Sequence, residues 1–195
     1  MKIQNNAEQT EDKAQVLISL RNLINQPSDT QVRPCPNCDV SFGQAPASSA
    51  ANCSTQCQYA PRMMSGEPEK FPIEAGIVPL VYALYSLRLV TPCWSCEGHL
   101  SNDGKIGKLP KVWFYSASSF YPKMIAQVLG SLQAHHKIGY SWMVRVLPFS
   151  QSTFSTTYSI EASPSDASLD ALQKDIIVLG HQLRLEMLKL ANDYL

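Results

Sequence analysis

Six cysteines in three close pairs constrain this sequence more than any other feature. A histidine follows the last pair at the same short spacing, so seven side chains with metal-binding atoms fall in three clusters: Cys35 and Cys38, Cys53 and Cys57, then Cys93, Cys96 and His99. Thiolates and imidazoles at such spacings are typical zinc ligands, since neighbouring side chains can bind the same ion. The sequence therefore predicts a zinc protein with one or two ions.

The redox compartment decides between zinc and disulfides. The segment Met1–Asp12 is polar and lacks the apolar stretch of a secretion signal, which predicts a cytoplasmic protein. The longest apolar run, Ile77–Leu89, is interrupted by Pro79, Ser86 and Arg88 and is too short to span a membrane. Because the cytoplasm keeps thiols reduced, clustered cysteines there favour metal binding over disulfide formation.

The charge balance bears on partners. Sixteen Lys and Arg residues are matched by sixteen Asp and Glu residues, so the formal net charge is zero. Nucleic-acid-binding proteins usually carry a clear basic excess, and this balance argues against nucleic acid as a partner. Neither a partner nor a substrate is identified by composition.

The composition of the first half of the chain changes once, at about residue 27. An apolar stripe predicts an amphipathic helix over residues 10–25. Residues 27–72 are then rich in Pro, Ser, Ala, Asn and Gln and lack periodicity, which is unusual for a segment this long inside a domain. Four of the cysteines lie in it, so we expect a zinc-stapled insert within a single domain spanning residues 1–195.

The second half predicts an α+β fold. Phe71–Leu89 is dense in apolar residues and indicates a buried helix, with Pro79 either kinking it or starting a second helix. Another helix is expected to start in the segment Ser118-Ser119-Phe120-Tyr121-Pro122 and to run to about Ala134. Four segments have strand character and predict a mixed four-stranded sheet covered by helices: Leu89–Pro92, Lys111–Ser116, Ser141–Leu147 and Thr153–Ala162. In the third strand, Trp142, Val144 and Val146 form the expected buried face.

The last predicted element is a long helix with a continuous apolar stripe from Leu169 to Tyr194. Such stripes usually pack on a sheet. Further apolar residues beside it, including Leu185 and Leu188, leave open a homodimer interface on this helix.

One short motif resembles a known group of proteins. The sequence Ser95-Cys96-Glu97-Gly98-His99 lies between a predicted helix and a predicted strand. It resembles an S-C-E-G-H box found in a loose set of uncharacterised bacterial proteins, over about residues 76–116, and this resemblance implies no established activity. A fainter likeness is to the S-S-C-S-G-R box of the wybutosine-synthesis methyltransferase family, but Glu97 and His99 replace that family's serine and arginine.

Two ways of sharing the ligands remain open. The four cysteines of the insert could close one site, leaving Cys93, Cys96 and His99 as a second site with a vacant position. Alternatively, Cys35, Cys38, Cys93 and Cys96 could surround a single ion. A third interpretation is that Cys93 and Cys96 form a redox-active C-x-x-C pair, although no thioredoxin-like strand and helix pattern surrounds them.

The function follows from which of these arrangements holds. In the first interpretation the zinc is mainly structural and the biochemical role is unspecified. In the alternative, the open Cys93, Cys96 and His99 site is a hydrolytic or group-transfer enzyme centre acting on a small anionic substrate. Glu97 and His99 are then the candidate catalytic residues, with Glu97 as the proton carrier. Lysines after His99 would bind the anion. Whether the chain is an enzyme is not decided by its residues.

Overall fold

The computed structural model describes residues 8–25, 73–148, 156–163 and 167–195, with side chains of the first helix from Lys13 onward. These parts contain four α-helices, α1 (Glu8–Asn25), α2 (Val78–Leu87), α3 (Phe120–Ala134) and α4 (Leu169–Tyr194), and a 3-10 helix, Ala75–Ile77, before α2. The strands are β1 (Thr91–Cys96), β2 (His99–Leu100), β3 (Ile106–Lys108), β4 (Lys111–Ser116), β5 (Trp142–Val146) and β6 (Thr156–Ala162). The α+β class is confirmed.

The main sheet has four strands in the order β1-β4-β6-β5, and a separate two-stranded sheet pairs β2 with β3. Every neighbouring pair in the main sheet is antiparallel. The prediction of a mixed sheet is therefore wrong. The connection from β4 through α3 to β5 does return the chain in the same direction, but β6 lies between these two strands and pairs antiparallel with both.

The centre of the sheet follows from the alternation in β4. Val112, Phe114 and Ser116 are buried on one face, whereas Lys111, Trp113 and Tyr115 are partly exposed on the other. Side chains alternate along a strand, so this pattern places the helix-covered core on the first face. Lys111–Ser116 was predicted as a strand with these bounds.

The helices cover that core face. The interior residues of α3, including Ile125, Val128 and Leu129, join the same buried cluster as Val112 and Phe114. α3 starts within the predicted segment 118–122 and ends at Ala134, close to the predicted end. Pro79 lies in the first turn of α2, where a proline costs no backbone hydrogen bond.

The C-terminal helix supplies much of the core. Five residues of its predicted stripe are completely buried: Leu172, Ile176, Leu179, Leu183 and Met187. The stripe ends at Tyr194, which is exposed and packs edge-on against Phe120 with ring centroids 5.0 Å apart. Gly180 lets α4 approach α2 closely, because a Cβ there would lie 2.6 Å from the Cβ of Pro79.

The end of β5 departs from the predicted pattern. Trp142 is buried and Val144 partly so, but Val146 is 65% exposed. The prediction that all three are buried is wrong for Val146. β5 is an edge strand, and its end is therefore covered by a neighbouring strand on one side only.

Asp175 ties α4 to the segment that leads into β5. Its carboxylate is buried and accepts hydrogen bonds from the backbone of Gly139 (2.8 Å) and Tyr140 (3.0 Å) and from Nε1 of Trp142 (3.1 Å). A buried carboxylate needs such donors to offset its lost hydration. Asp175 therefore fixes the start of β5 against α4.

The amphipathic helix α1 is confirmed, with Val16, Leu20 and Leu23 buried. The predicted zinc-stapled insert of residues 27–72 lies outside the described residues. No helix in the parts of the chain that the structure describes combines the length and apolar character needed to cross a bilayer.

Candidate metal centre

The second C-x-x-C pair lies within a strand. Residues Cys93 to Cys96 form the last four residues of β1, which pairs with β4 up to Cys96 opposite Lys111. The strand predicted over Leu89–Pro92 therefore lies later in the chain, at Thr91–Cys96, and the predicted end at Pro92 is wrong. The reason is that pairing continues past an irregularity between Pro92 and Trp94, where the register shifts by one residue at Cys93.

A tight turn after β1 returns the chain to His99. Gly98 has φ +88°, a left-handed conformation that side chains other than glycine rarely adopt. A Cβ on Gly98 would also lie 2.7 Å from Cδ1 of Leu169 and 2.9 Å from Cδ of Pro110. The glycine is therefore required both by the backbone conformation and by the close packing of α4 against this turn.

Three potential metal ligands converge at the turn. A carboxylate oxygen of Glu74, the Sγ of Cys96 and a ring nitrogen of His99 all lie within 4.8 Å of one another. Ligand atoms around a tetrahedral zinc, with bonds of 2.0–2.3 Å, are separated by about 3.5 Å. Small side-chain rotations would therefore bring the three atoms to bonding distance of one ion.

Glu74 is held in place by two contacts. One oxygen lies 2.9 Å from Nε2 of His99, and the other accepts a hydrogen bond of 2.7 Å from the backbone N–H of Glu97. The carboxylate of Glu97 in turn accepts a hydrogen bond of 2.7 Å from the N–H of Gly76. The two carboxylates thus clasp the segment before α2 to the turn after β1.

The three ligands differ in their exposure. Cys96 is 4% exposed, whereas the side chains of His99 and Glu74 are 44% and 36% exposed. The thiol is therefore shielded, while the imidazole and the carboxylate border solvent. A metal ion held here would be reached from the side of His99 and Glu74.

Cys93 does not belong to this group among the described residues. The residue is exposed overall, but its sulfur is partly buried, and this partial burial raises the pKa of the Cys93 thiol above its ordinary value, while a hydrogen bond with Tyr115 acts in the opposite direction. A raised pKa disfavours the thiolate at neutral pH. Cys93 as a metal ligand stays a prediction that the geometry does not support.

The predicted ligands thus separate into three sets. The structure brings Cys96 and His99 together, it leaves Cys93 apart, and Cys35, Cys38, Cys53 and Cys57 lie outside the described residues. Sequence reasoning missed Glu74, which lies more than twenty residues before Cys96. No local spacing marks it, and only its place just before an apolar helix could have drawn attention to it.

Two lysines flank the candidate centre through strand pairing. Lys111 lies opposite Cys96 in the β1–β4 ladder, and Lys108 lies opposite His99 in the β2–β3 ladder. Trp94 and Trp113 pair beside them with ring centroids 4.6 Å apart. Residues directly opposite in antiparallel strands lie on the same face, with Cβ atoms about 5 Å apart, so both lysines stand next to a candidate ligand.

One oxygen, one sulfur and one nitrogen donor suit zinc among the common divalent cations, since magnesium and calcium favour oxygen ligands throughout. Three protein ligands also leave one tetrahedral position for water or a substrate.

No protein-family model, no curated protein and no solved structure matches this chain.

Proposed function

We propose that this chain is a zinc-binding protein in which Glu74, Cys96 and His99 hold one zinc ion. The observation that carries the proposal is the convergence of these three side chains within 4.8 Å. They come from three segments: the stretch before α2, the end of β1 and the start of β2. A zinc ion would therefore join these segments, and we assign it mainly a structural role.

The direct test is the zinc content of the full chain and its cysteine, carboxylate and histidine variants. Cys96→Ser, Glu74→Gln and His99→Asn should each lower the zinc content by one ion per chain or weaken that ion's affinity at least tenfold. Cys93→Ser is the matched control and should retain the zinc. X-ray absorption of this ion should show one sulfur among nitrogen and oxygen neighbours.

The opposite pattern would replace this proposal with the arrangement predicted from the sequence. If Cys93→Ser loses the ion and Glu74→Gln keeps it with two sulfur neighbours, the ligands are Cys93, Cys96 and His99. If all four variants hold as much zinc as the parent chain, this part of the protein does not bind zinc. The four cysteines of residues 27–72 remain a separate predicted site. Zinc bound there would persist in all four variants, so the measurement distinguishes it from the ion held by Glu74, Cys96 and His99.

A second candidate function is a zinc-dependent hydrolase or group-transfer enzyme. The exposure of His99 and Glu74 favours it, because an ion there would keep a position open towards solvent. When bound, zinc would lower the pKa of a water molecule and so supply a nucleophile. The carboxylate of Glu97 is bound to the N–H of Gly76, so its role as proton carrier stays a prediction.

A further inference from the structure

We infer that the candidate metal centre binds a phosphate-class oxyanion, held by the open metal position and by the ammonium groups of Lys108 and Lys111. This inference rests on the proposed zinc site and names the kind of ligand it takes. The register of two separate ladders carries it, because each strand-borne ligand has a lysine directly across: Lys111 opposite Cys96 and Lys108 opposite His99.

Both lysines are available to a ligand. Lys108 is exposed and Lys111 is partly exposed, and neither forms an ion pair within the described residues. The nearby carboxylates have other partners. Glu161, which lies opposite Lys111 on β6, accepts from Nε of Arg145 at 2.7 Å, and Asp103 lies 3.8 Å from the Nζ of Lys105.

The charges around a zinc-loaded centre favour a multiply charged anion. The thiolate of Cys96 and the carboxylate of Glu74 together cancel the two charges of zinc. Glu161 and Asp103 are each paired with a cation, so the ammonium groups of Lys108 and Lys111 outweigh the remaining carboxylate of Glu97 and give the surroundings of the centre a positive balance. Lysine is a common point-charge ligand of phosphate, and one phosphate oxygen could occupy the open metal position.

A carboxylate would use this arrangement less fully. It carries one negative charge and two oxygens, whereas phosphate near neutral pH carries between one and two charges and has oxygens pointing in four directions. A phosphate could therefore contact the metal and both lysines together. This match in charge and in number of oxygens is the reason for choosing the phosphate class, with inorganic phosphate as its simplest member.

The experiment uses the full chain loaded with cobalt, whose absorption spectrum reports changes in coordination. The Cys96→Ser variant isolates this centre by difference from any other cobalt bound to the chain. Adding inorganic phosphate should shift the cobalt bands of the parent protein and leave those of Cys96→Ser unchanged. Lys108→Gln and Lys111→Gln should each weaken phosphate binding about fivefold, as expected for loss of one partly exposed charge contact.

Lys105→Gln is the matched control, since Lys105 lies in the same hairpin but opposite neither ligand, and it should change phosphate affinity less than twofold. Replacing both Lys108 and Lys111 by Arg should keep most of the affinity, which separates charge from damage to the fold. Acetate, as the carboxylate probe, should bind more weakly than phosphate.

Each negative outcome is informative. If phosphate leaves the cobalt spectrum unchanged while Cys96→Ser removes cobalt bands, the metal centre stands and the oxyanion inference is overturned. If the lysine variants match Lys105→Gln, or if acetate binds as tightly as phosphate, the inference is likewise overturned. If Cys96→Ser removes no cobalt bands, the proposed function itself fails.

Discussion

Cys93 and Cys96 are three residues apart on one strand but occupy different surroundings. Cys96 is buried beside Glu74 and His99, whereas Cys93 is exposed and hydrogen-bonded to Tyr115. The two thiols should therefore respond differently to the same reagent. From the C-x-x-C spacing alone, both cysteines were predicted to be metal ligands.

The Cys93 thiol should alkylate more slowly at neutral pH than a thiol in an unfolded peptide, because partial burial of its sulfur raises its pKa and so lowers the thiolate fraction. Its rate should rise with pH through a midpoint above that of the urea-unfolded chain. Tyr115→Phe should move the midpoint higher still, since the hydrogen bond with Tyr115 lowers this pKa. Mass spectrometry of the peptide containing Cys93 measures the rate, and an equal midpoint in folded and unfolded chains would contradict this prediction.

Asp175→Asn should lower the free energy of unfolding by about 2–3 kcal/mol, because an amide N–H₂ would face N–H groups that now donate to the carboxylate. Denaturant unfolding followed by tryptophan fluorescence measures this change, and Trp142 reports it locally. Asp170→Asn, exposed in the first turn of α4, is the control and should cost only about 0.5 kcal/mol. Equal losses in the two variants would show that the three hydrogen bonds contribute little.

At the scale of elements, two glycines in similar conformations separate backbone strain from packing. Gly98 (φ +88°) lies in the turn between the candidate ligands, and Gly104 (φ +77°) lies in the β2–β3 hairpin with open space around it. An alanine at either position would have to adopt the left-handed backbone conformation, which costs free energy. Only at Gly98 does it also meet Leu169 and Pro110.

Gly98→Ala should therefore lower the free energy of unfolding by about 2–4 kcal/mol, against about 1 kcal/mol for Gly104→Ala. Thermal and urea unfolding of both variants measure the difference. Gly98→Ala should also weaken zinc binding, since it displaces the turn that joins Cys96 to His99. A Gly104→Ala variant as unstable as Gly98→Ala would show that packing at Gly98 adds nothing.

Two glycines within helices, Gly130 and Gly180, differ in the space available for a methyl group, so alanine should change stability in opposite directions at the two positions. Gly130→Ala on the exposed side of α3 should raise the free energy of unfolding by about 0.5–1 kcal/mol, because alanine favours the helix and nothing lies within 4 Å. Gly180→Ala should lower it by about 1–3 kcal/mol, because its Cβ would lie 2.6 Å from Pro79. Urea unfolding gives the sign of each change, and stabilisation by Gly180→Ala would mean that α2 and α4 separate easily.

The elements that sequence predicts well are those with a strong period of their own. α3 and α4 repeat apolar residues at helical spacing so regularly that packing has little freedom to override them. β4 was predicted instead from its aromatic residues and from the Pro110 and serines that flank it. β1 was missed beyond Pro92 because two cysteines look like loop ligands, while its pairing with β4 depends on residues far along the chain. Glu74 was missed for a similar reason, since its approach to Cys96 and His99 depends on the packing of whole elements.

For the whole molecule, zinc should act as a stabilising ligand. Binding to the folded state alone adds about 4 kcal/mol when free zinc is a thousandfold above its dissociation constant, which for a chain of this size raises Tm by about 10 °C. Scanning calorimetry with zinc and with a chelator measures the increment. Part of it should vanish in Cys96→Ser and persist in Cys93→Ser, and an equal increment in both variants would place the stabilising zinc elsewhere.

The β2–β3 hairpin pairs within itself and adds no strand to the four-stranded sheet. Lys108 and the turn residues are exposed, whereas Ile106 packs against the core, whose buried residues come from other elements. If the proposed site binds an oxyanion, substitutions at the exposed positions of this hairpin should alter its ligand preference at little cost in folding free energy. Natural variation or laboratory selection confined to the exposed positions of this hairpin, with His99 and Ile106 kept, offers a route to new specificities of the proposed site on an unchanged scaffold.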